Sequence, residues 1–139
     1  FFVQRMMMRK SIEHPFGIGP GQVEIYMADY FGDALASNAT HNSYIRVWVE
    51  NGLLSLFCFG GFLLCSLWLG MKLSLSRWRH TELSAVAFSV LCSYVLVGFV
   101  IDTIHWRQLW ITCGIILALG VMYAADGAQR PRNIDAKTG

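Results

Sequence analysis

Charge is what this sequence has least of. Lys, Arg, Asp and Glu make up 14% of 139 residues, against roughly 25% in an ordinary soluble domain, so a soluble globular reading is set aside at the start. Eleven Lys and Arg against nine Asp and Glu leave a net charge of +2. No basic cluster rises above that scatter, which argues against a nucleic-acid partner. Cys58, Cys65, Cys92 and Cys113 show no CxxC spacing and no adjacent His, so neither a metal nor a redox role is expected. Each lies in an apolar run, where a thiol behaves as a small hydrophobe. The opening FFVQRMMMRK starts on Phe1 and lacks the charged-then-apolar layout of a signal peptide, so it reads as a cut end.

What is present is apolar: 55% of the residues are hydrophobic, and they fall in blocks. Gly52 to Met71 is a run of twenty residues without a charge. At about 1.5 Å per residue such a helix covers the ~30 Å hydrocarbon core of a bilayer. Leu83 to Ile101 gives a second run of nineteen, and Leu109 to Ala125 a third of seventeen. The expected fold is therefore all-α: three transmembrane helices (52–71, 83–101, 109–125) of a polytopic bundle, preceded by a helical and loop segment (1–51). The polar stretch 126–139, with its Gly and Pro, reads as a disordered tail.

Positive residues of short loops stay on the cytoplasmic side. Lys72, Arg77 and Arg79 lie between the first two runs, and Arg130, Arg132 and Lys137 follow the third. Both places are expected in the cytoplasm. Residues 102–108 hold a single Arg107 offset by Asp102, which fits the opposite face, and by alternation the first fifty residues lie there too. Arg5, Arg9, Lys10 and Arg46 in that segment are balanced by Glu13, Glu24, Asp29, Asp33 and Glu50, and long loops follow the charge rule weakly.

Within this outer segment, residues 1–13 predict a short helix lying at the membrane interface, with Arg5 and Arg9 one turn apart. It should stop before His14-Pro15, because the residue ahead of a proline avoids the helical region. Phe16-Gly17-Ile18-Gly19-Pro20-Gly21 is a tight turn. It matches neither the dinucleotide fingerprint nor a P-loop, which leaves close approach of two backbones or contact of its amides with phosphate. Residues 22–37 are mixed; Asp29 and Asp33 share a helical spacing but are too few to hold a hard cation, and solvated surface is the simpler reading. Ser37 to Thr40 offers capping side chains, after which a helix is expected to run from His41 straight into the first span. On it Asn42, Arg46 and Glu50 form a polar stripe, with Arg46 and Glu50 able to pair. Asp102, His105 and Arg107 beside Trp106 and Trp110 either line a substrate path or anchor the interface. His14 and His80 suggest no role.

His41-Asn42-Ser43-Tyr44, followed by Glu50-Asn51-Gly52-Leu53-Leu54 nine residues from the His, resembles the His-Asn-x-aromatic and Glu-x-Gly-Leu signature of the O-antigen ligase and polymerase superfamily. Pro15 to Gly21 is similar to that family's Pro-x-x-Gly-x-Gly turn, and Arg5 stands where the family has an Arg about ten residues earlier. The ordered set covers about Arg5 to Ala125. Ser55 replaces a glycine that commonly follows, and the family's long leading set of spans is not in this sequence.

The resemblance implies a lipid-linked glycan transferase at the periplasmic face of the bacterial inner membrane. It moves a glycan from an undecaprenyl-pyrophosphate carrier to an acceptor hydroxyl on lipid A core, on a growing glycan or on a protein. In that scheme Arg5 contacts the pyrophosphate, since a guanidinium matches phosphate oxygens bidentately. His41 acts as the base, having an unperturbed pKa of about 6.5. Asn42, Tyr44, Arg9, Arg46, Gly19 and Gly21 are the expected substrate contacts, with membrane lipids as further partners and neither a cofactor nor a metal required. A polymerase of the same superfamily is one alternative. A non-enzymatic transporter or assembly subunit is another, although a transporter concentrates polar groups at the midplane of broken helices, where these runs have almost none.

Overall fold

Apolar periodicity, one proline and a few glycines divide the chain into helices. The computed structural model describes residues 2–31 and 42–129, and among them every regular element is helical: α1 (Phe2–Glu13), α2 (Gln22–Phe31), α3 (Ser43–Ser74), α4 (Thr81–Val97) and α5 (Arg107–Gln129). Two of these, α3 and α5, are long and apolar enough to cross a membrane, while α4 is shorter, with 17 residues. In their most apolar stretches only 17% of α3 and 28% of α5 is buried inside the structure. The apolar side chains therefore face outward, unlike those of the core helix of a soluble domain.

Two separate cores hold these helices. Met7 of α1, Val23 and Met27 of α2 and Val49 of α3 form one, with Met6, Ile18, Tyr26 and Ile45 packed around it. Leu63, Ala87, Leu91, Leu109, Cys113 and Ile116 form the other, drawn from α3, α4 and α5. The first unit is called the cap and the second the bundle. Close approach in the bundle rests on small residues: Gly70 lies against Phe88 and Ile116, and Gly120 against Leu69, since a residue without a side chain lets two helices come close together.

Several expected boundaries move. The helix predicted to run unbroken from His41 into the first span is interrupted at Gly52, whose φ of 84° and ψ of 176° are not helical. The second run was expected to stay helical to Ile101. Instead α4 ends at Val97, and the chain tightens into turns in which Phe99 and Val100 donate to Leu96 and Val97. The carbonyls of Gly98 and Phe99 turn away to accept from Ser43 N and Asn42 Nδ2. α5 is longer than its apolar run at both ends, so Asp126 to Gln129, expected in the disordered tail, form its last turn. Residues 130–139 lie outside the described residues, as do Asp33, the proposed caps Ser37 to Thr40, and His41.

Candidate functional site

The interruption at Gly52 is where the cap meets the bundle. In a continuous helix the Leu53 N–H would donate to the Val49 carbonyl; here it donates to the Pro15 carbonyl, at 3.1 Å. The Val49 carbonyl thus released accepts from Ile18 N (2.9 Å), and the Glu50 carbonyl accepts from Gly19 N (3.0 Å). Leu53 N and the carbonyls of Val49 and Glu50 thus find partners in the glycine turn, as buried backbone groups require. Gly17 and Gly52 make the exchange possible. Both have φ near +85°, and a Cβ on either would strike the other segment, at Glu50 O for Gly17 and at Pro15 O for Gly52. The amides of Ile18 and Gly19, which a phosphate-cradling turn would present to its ligand, are given to these carbonyls; Gly21 lies exposed at the entry to α2.

Beyond the break, Asn42 caps α3. Its Oδ1 accepts from Tyr44 N and Ile45 N, both at 3.0 Å, while Nδ2 donates to Phe99 O at 2.9 Å. Ser43 Oγ accepts from Thr103 N at 2.7 Å, and Tyr44 donates its hydroxyl to Val95 O at 2.8 Å with its ring tilted against that of Phe99. Burial pushes the Tyr44 phenol above its ordinary pKa. These three consecutive residues fasten the start of α3 to the last turn of α4 and to the loop that follows it.

Arg46, one turn further, is the electrostatic centre. Its Nη2 donates to Glu24 of α2 at 2.7 Å, its Nη1 donates to Asp102 at 2.9 Å, and its Nε stands 3.2 Å from Glu50. The last contact is an ion pair without hydrogen-bond geometry, since Nε and Glu50 Oε1 are buried with no hydrogen-bond partner. Only 12% of the Arg46 side chain and 8% of that of Glu50 is exposed. Burial alone would lower the guanidinium's pKa, but Glu50, Glu24 and Asp102 outweigh it and hold Arg46 above its ordinary value. Asp102 Oδ2 also lies 3.1 Å from Nδ1 of the exposed His105, and Asp102 Oδ1 accepts from Ile104 N.

The remaining predicted residues lie on α1. Arg5 and Arg9 are exposed and make no ion pair among the described residues. Arg9, Met6, Lys10, Glu13 and Tyr26 line an open cleft of about 190 Å³ between α1 and α2. Lys10 reaches Glu13 at 3.2 Å and sits 5.2 Å from the centre of the Tyr26 ring. Asn42, Tyr44 and Arg46 are thus brought together with Asp102 and His105, whereas Arg5 and Arg9 occupy another face of the cap. Glu24 was not singled out from the sequence, and only its charge in a mixed segment hinted at it. No group of three or more His, Cys, Asp or Glu able to hold a metal occurs among the described residues.

At the opposite end of the bundle Arg79 lies 3.4 Å from Asp126, and Trp78 packs on Tyr123. The polar set of the cap and the basic loop after α3 therefore stand at opposite ends of α3. Compared with profiles of protein families, with characterised proteins and with solved structures, the chain matches none.

Proposed function

We propose that this chain is the C-terminal part of a lipid-linked glycan transferase of the O-antigen ligase kind. It would act at the periplasmic face of the inner membrane, with α3 after Gly52, α4 and α5 spanning the bilayer and the cap, including α3 up to the break, outside it. One observation carries the reading: the two strings that resemble the family, Pro15 to Gly21 and Glu50 to Leu54, are far apart in sequence yet lock together through their backbones at Gly17 and Gly52. Separation of the charged cap from the basic Arg77 and Arg79 end supports the orientation. The scarcity of charges between Leu53 and Met71 speaks against a midplane transport site.

In the proposed reaction an acceptor hydroxyl oxygen attacks the anomeric carbon of the carrier-linked glycan. The bond from that carbon to the pyrophosphate oxygen breaks, and the pyrophosphate leaves with the electron pair. His41 takes the hydroxyl proton, and Arg5 neutralises the charge that grows on the leaving group. Asn42, Tyr44 and Arg46 shape the mouth of the site by fixing α3 against the α4–α5 loop.

The test uses the intact protein in a strain lacking its own copy. His41→Ala is expected to abolish glycan transfer while the protein stays in the membrane at normal level. Arg5→Ala is expected to slow transfer by about 10²–10³-fold, as for loss of one charge-stabilising donor. Normal transfer by His41→Ala removes the proposed base. Gel analysis of lipid-linked and transferred glycan also separates the branches: loss of transfer to core marks a ligase, and accumulation of single repeat units marks a polymerase.

A further inference from the structure

Helix α1 buries Met7 and Ser11 against the cap, and on its opposite side the 3.6-residue repeat sets Arg5 and Arg9 next to Met8 and Ile12. That exposed side is both basic and apolar: Ile12 is 74% exposed and Met8 41%. One turn further on, Phe16 is 93% exposed. Water alone satisfies the two arginines and leaves the three apolar groups unfavourably wetted, at a cost that scales with their area. The boundary between phosphate head groups and acyl chains satisfies both kinds of group at once.

Position decides the partner. Phe16 is no loose tip, because Pro15 O accepts from Leu53 N and Gly17 packs on the Glu50–Gly52 backbone. The Phe16 Cα lies 2.8 Å from where a Gly52 Cβ would stand. The Phe16 backbone is thereby held beside the first residues of the apolar half of α3. From that point Leu54 (76% exposed), Phe57 (69%), Leu64 and Trp68 recur outward at helical spacing. We infer that Met8, Ile12 and Phe16 form a lipid-docking edge, continuous with the exposed stripe of α3, that seats the cap in the head-group layer of a phospholipid bilayer. Arg5 and Arg9 then lie at the level of the lipid phosphates. The inference rests on the bundle crossing a bilayer and not on glycan transfer.

Nitroxide labels at Phe16→Cys and Ile12→Cys, with Phe57→Cys and Arg77→Cys as lipid and water references, test it in the intact protein. The background replaces Cys58, Cys65 and Cys92 and keeps the buried Cys113, or replaces all four where that variant folds. The protein is reconstituted into phosphatidylethanolamine and phosphatidylglycerol vesicles, and collision of each label with oxygen and with a water-soluble nickel chelate is read by power-saturation electron paramagnetic resonance. The ratio of oxygen to nickel collisions at positions 12 and 16 is expected to exceed that at 77 several-fold and to approach that at 57. A ratio equal to that at 77 places the edge in water and overturns the inference. Little collision with either reagent means that protein covers the edge, from elsewhere in the chain or from a second copy, and overturns it as well.

Discussion

The cap and the bundle are held together by opposite means. In the cap a small apolar core of four residues is supplemented by one guanidinium that gathers carboxylates from α2, α3 and the α4–α5 loop, and by a glycine turn that completes a broken helix. In the bundle the side-chain hydroxyls of Ser55, Ser74, Ser84, Ser89 and Thr112 turn back to carbonyls four residues earlier, so these five hydroxyls are satisfied locally along the chain. Contact between bundle helices comes from packing on small residues. Long-range polar bonds are tolerable where water or head groups share the cost of desolvation, and self-contained helices suit an apolar solvent.

The sharpest way to break this contrast is to remove Arg46. Arg46→Met leaves the buried Glu50 without its counter-charge and should cost about 3–5 kcal/mol of cap docking. The loss would be read as increased trypsin cleavage after Arg5, Arg9 and Lys10 with the bundle intact. Adding Glu50→Gln should restore much of the protection; if Arg46→Met is as resistant as the parent protein, the ion pairs do not fasten the cap. Gly17→Ala comes next. It combines a positive φ, costing about 1–3 kcal/mol, with a direct clash on the Glu50 carbonyl. Gly21→Ala, also at positive φ but facing open space, should cost only about 1–2 kcal/mol. Equal melting temperatures for the two variants would deny the backbone contact its importance. Smallest is Arg79→Ala at the far end of the bundle. Its pair with Asp126 is 63% exposed on the Arg79 side, so thermal unfolding should move by no more than about 0.5 kcal/mol. A larger loss would mean that charge fastens that end too.

Some of this was legible in advance. His14-Pro15 marked the end of α1, and the uncharged runs marked the bundle helices, because proline geometry and hydropathy act locally. Arg46 and Glu50, four apart, were readable as a pair for the same reason. Asp102 and Glu24 were not, since their tie to Arg46 spans 56 and 22 residues, and no local rule links charges so far apart. Asn42 was placed on a polar stripe, yet it caps α3. The break at Gly52 was hidden because a glycine inside an apolar run costs a helix only about 1 kcal/mol, and its partner lies in another segment.

By itself, then, the sequence determined where the long apolar helices lie, where α1 ends and where the charges gather, all of which follow from properties of neighbouring residues; α2 (Gln22–Phe31), read only as a mixed segment, was not among them. Only the tertiary structure decided that the helix carrying Arg46 stops at Gly52, that the glycine turn takes over its released hydrogen bonds, and that two distant carboxylates, Glu24 and Asp102, join Glu50 on one guanidinium. Those outcomes depend on two surfaces meeting, and the free energy of that meeting belongs to neither segment alone.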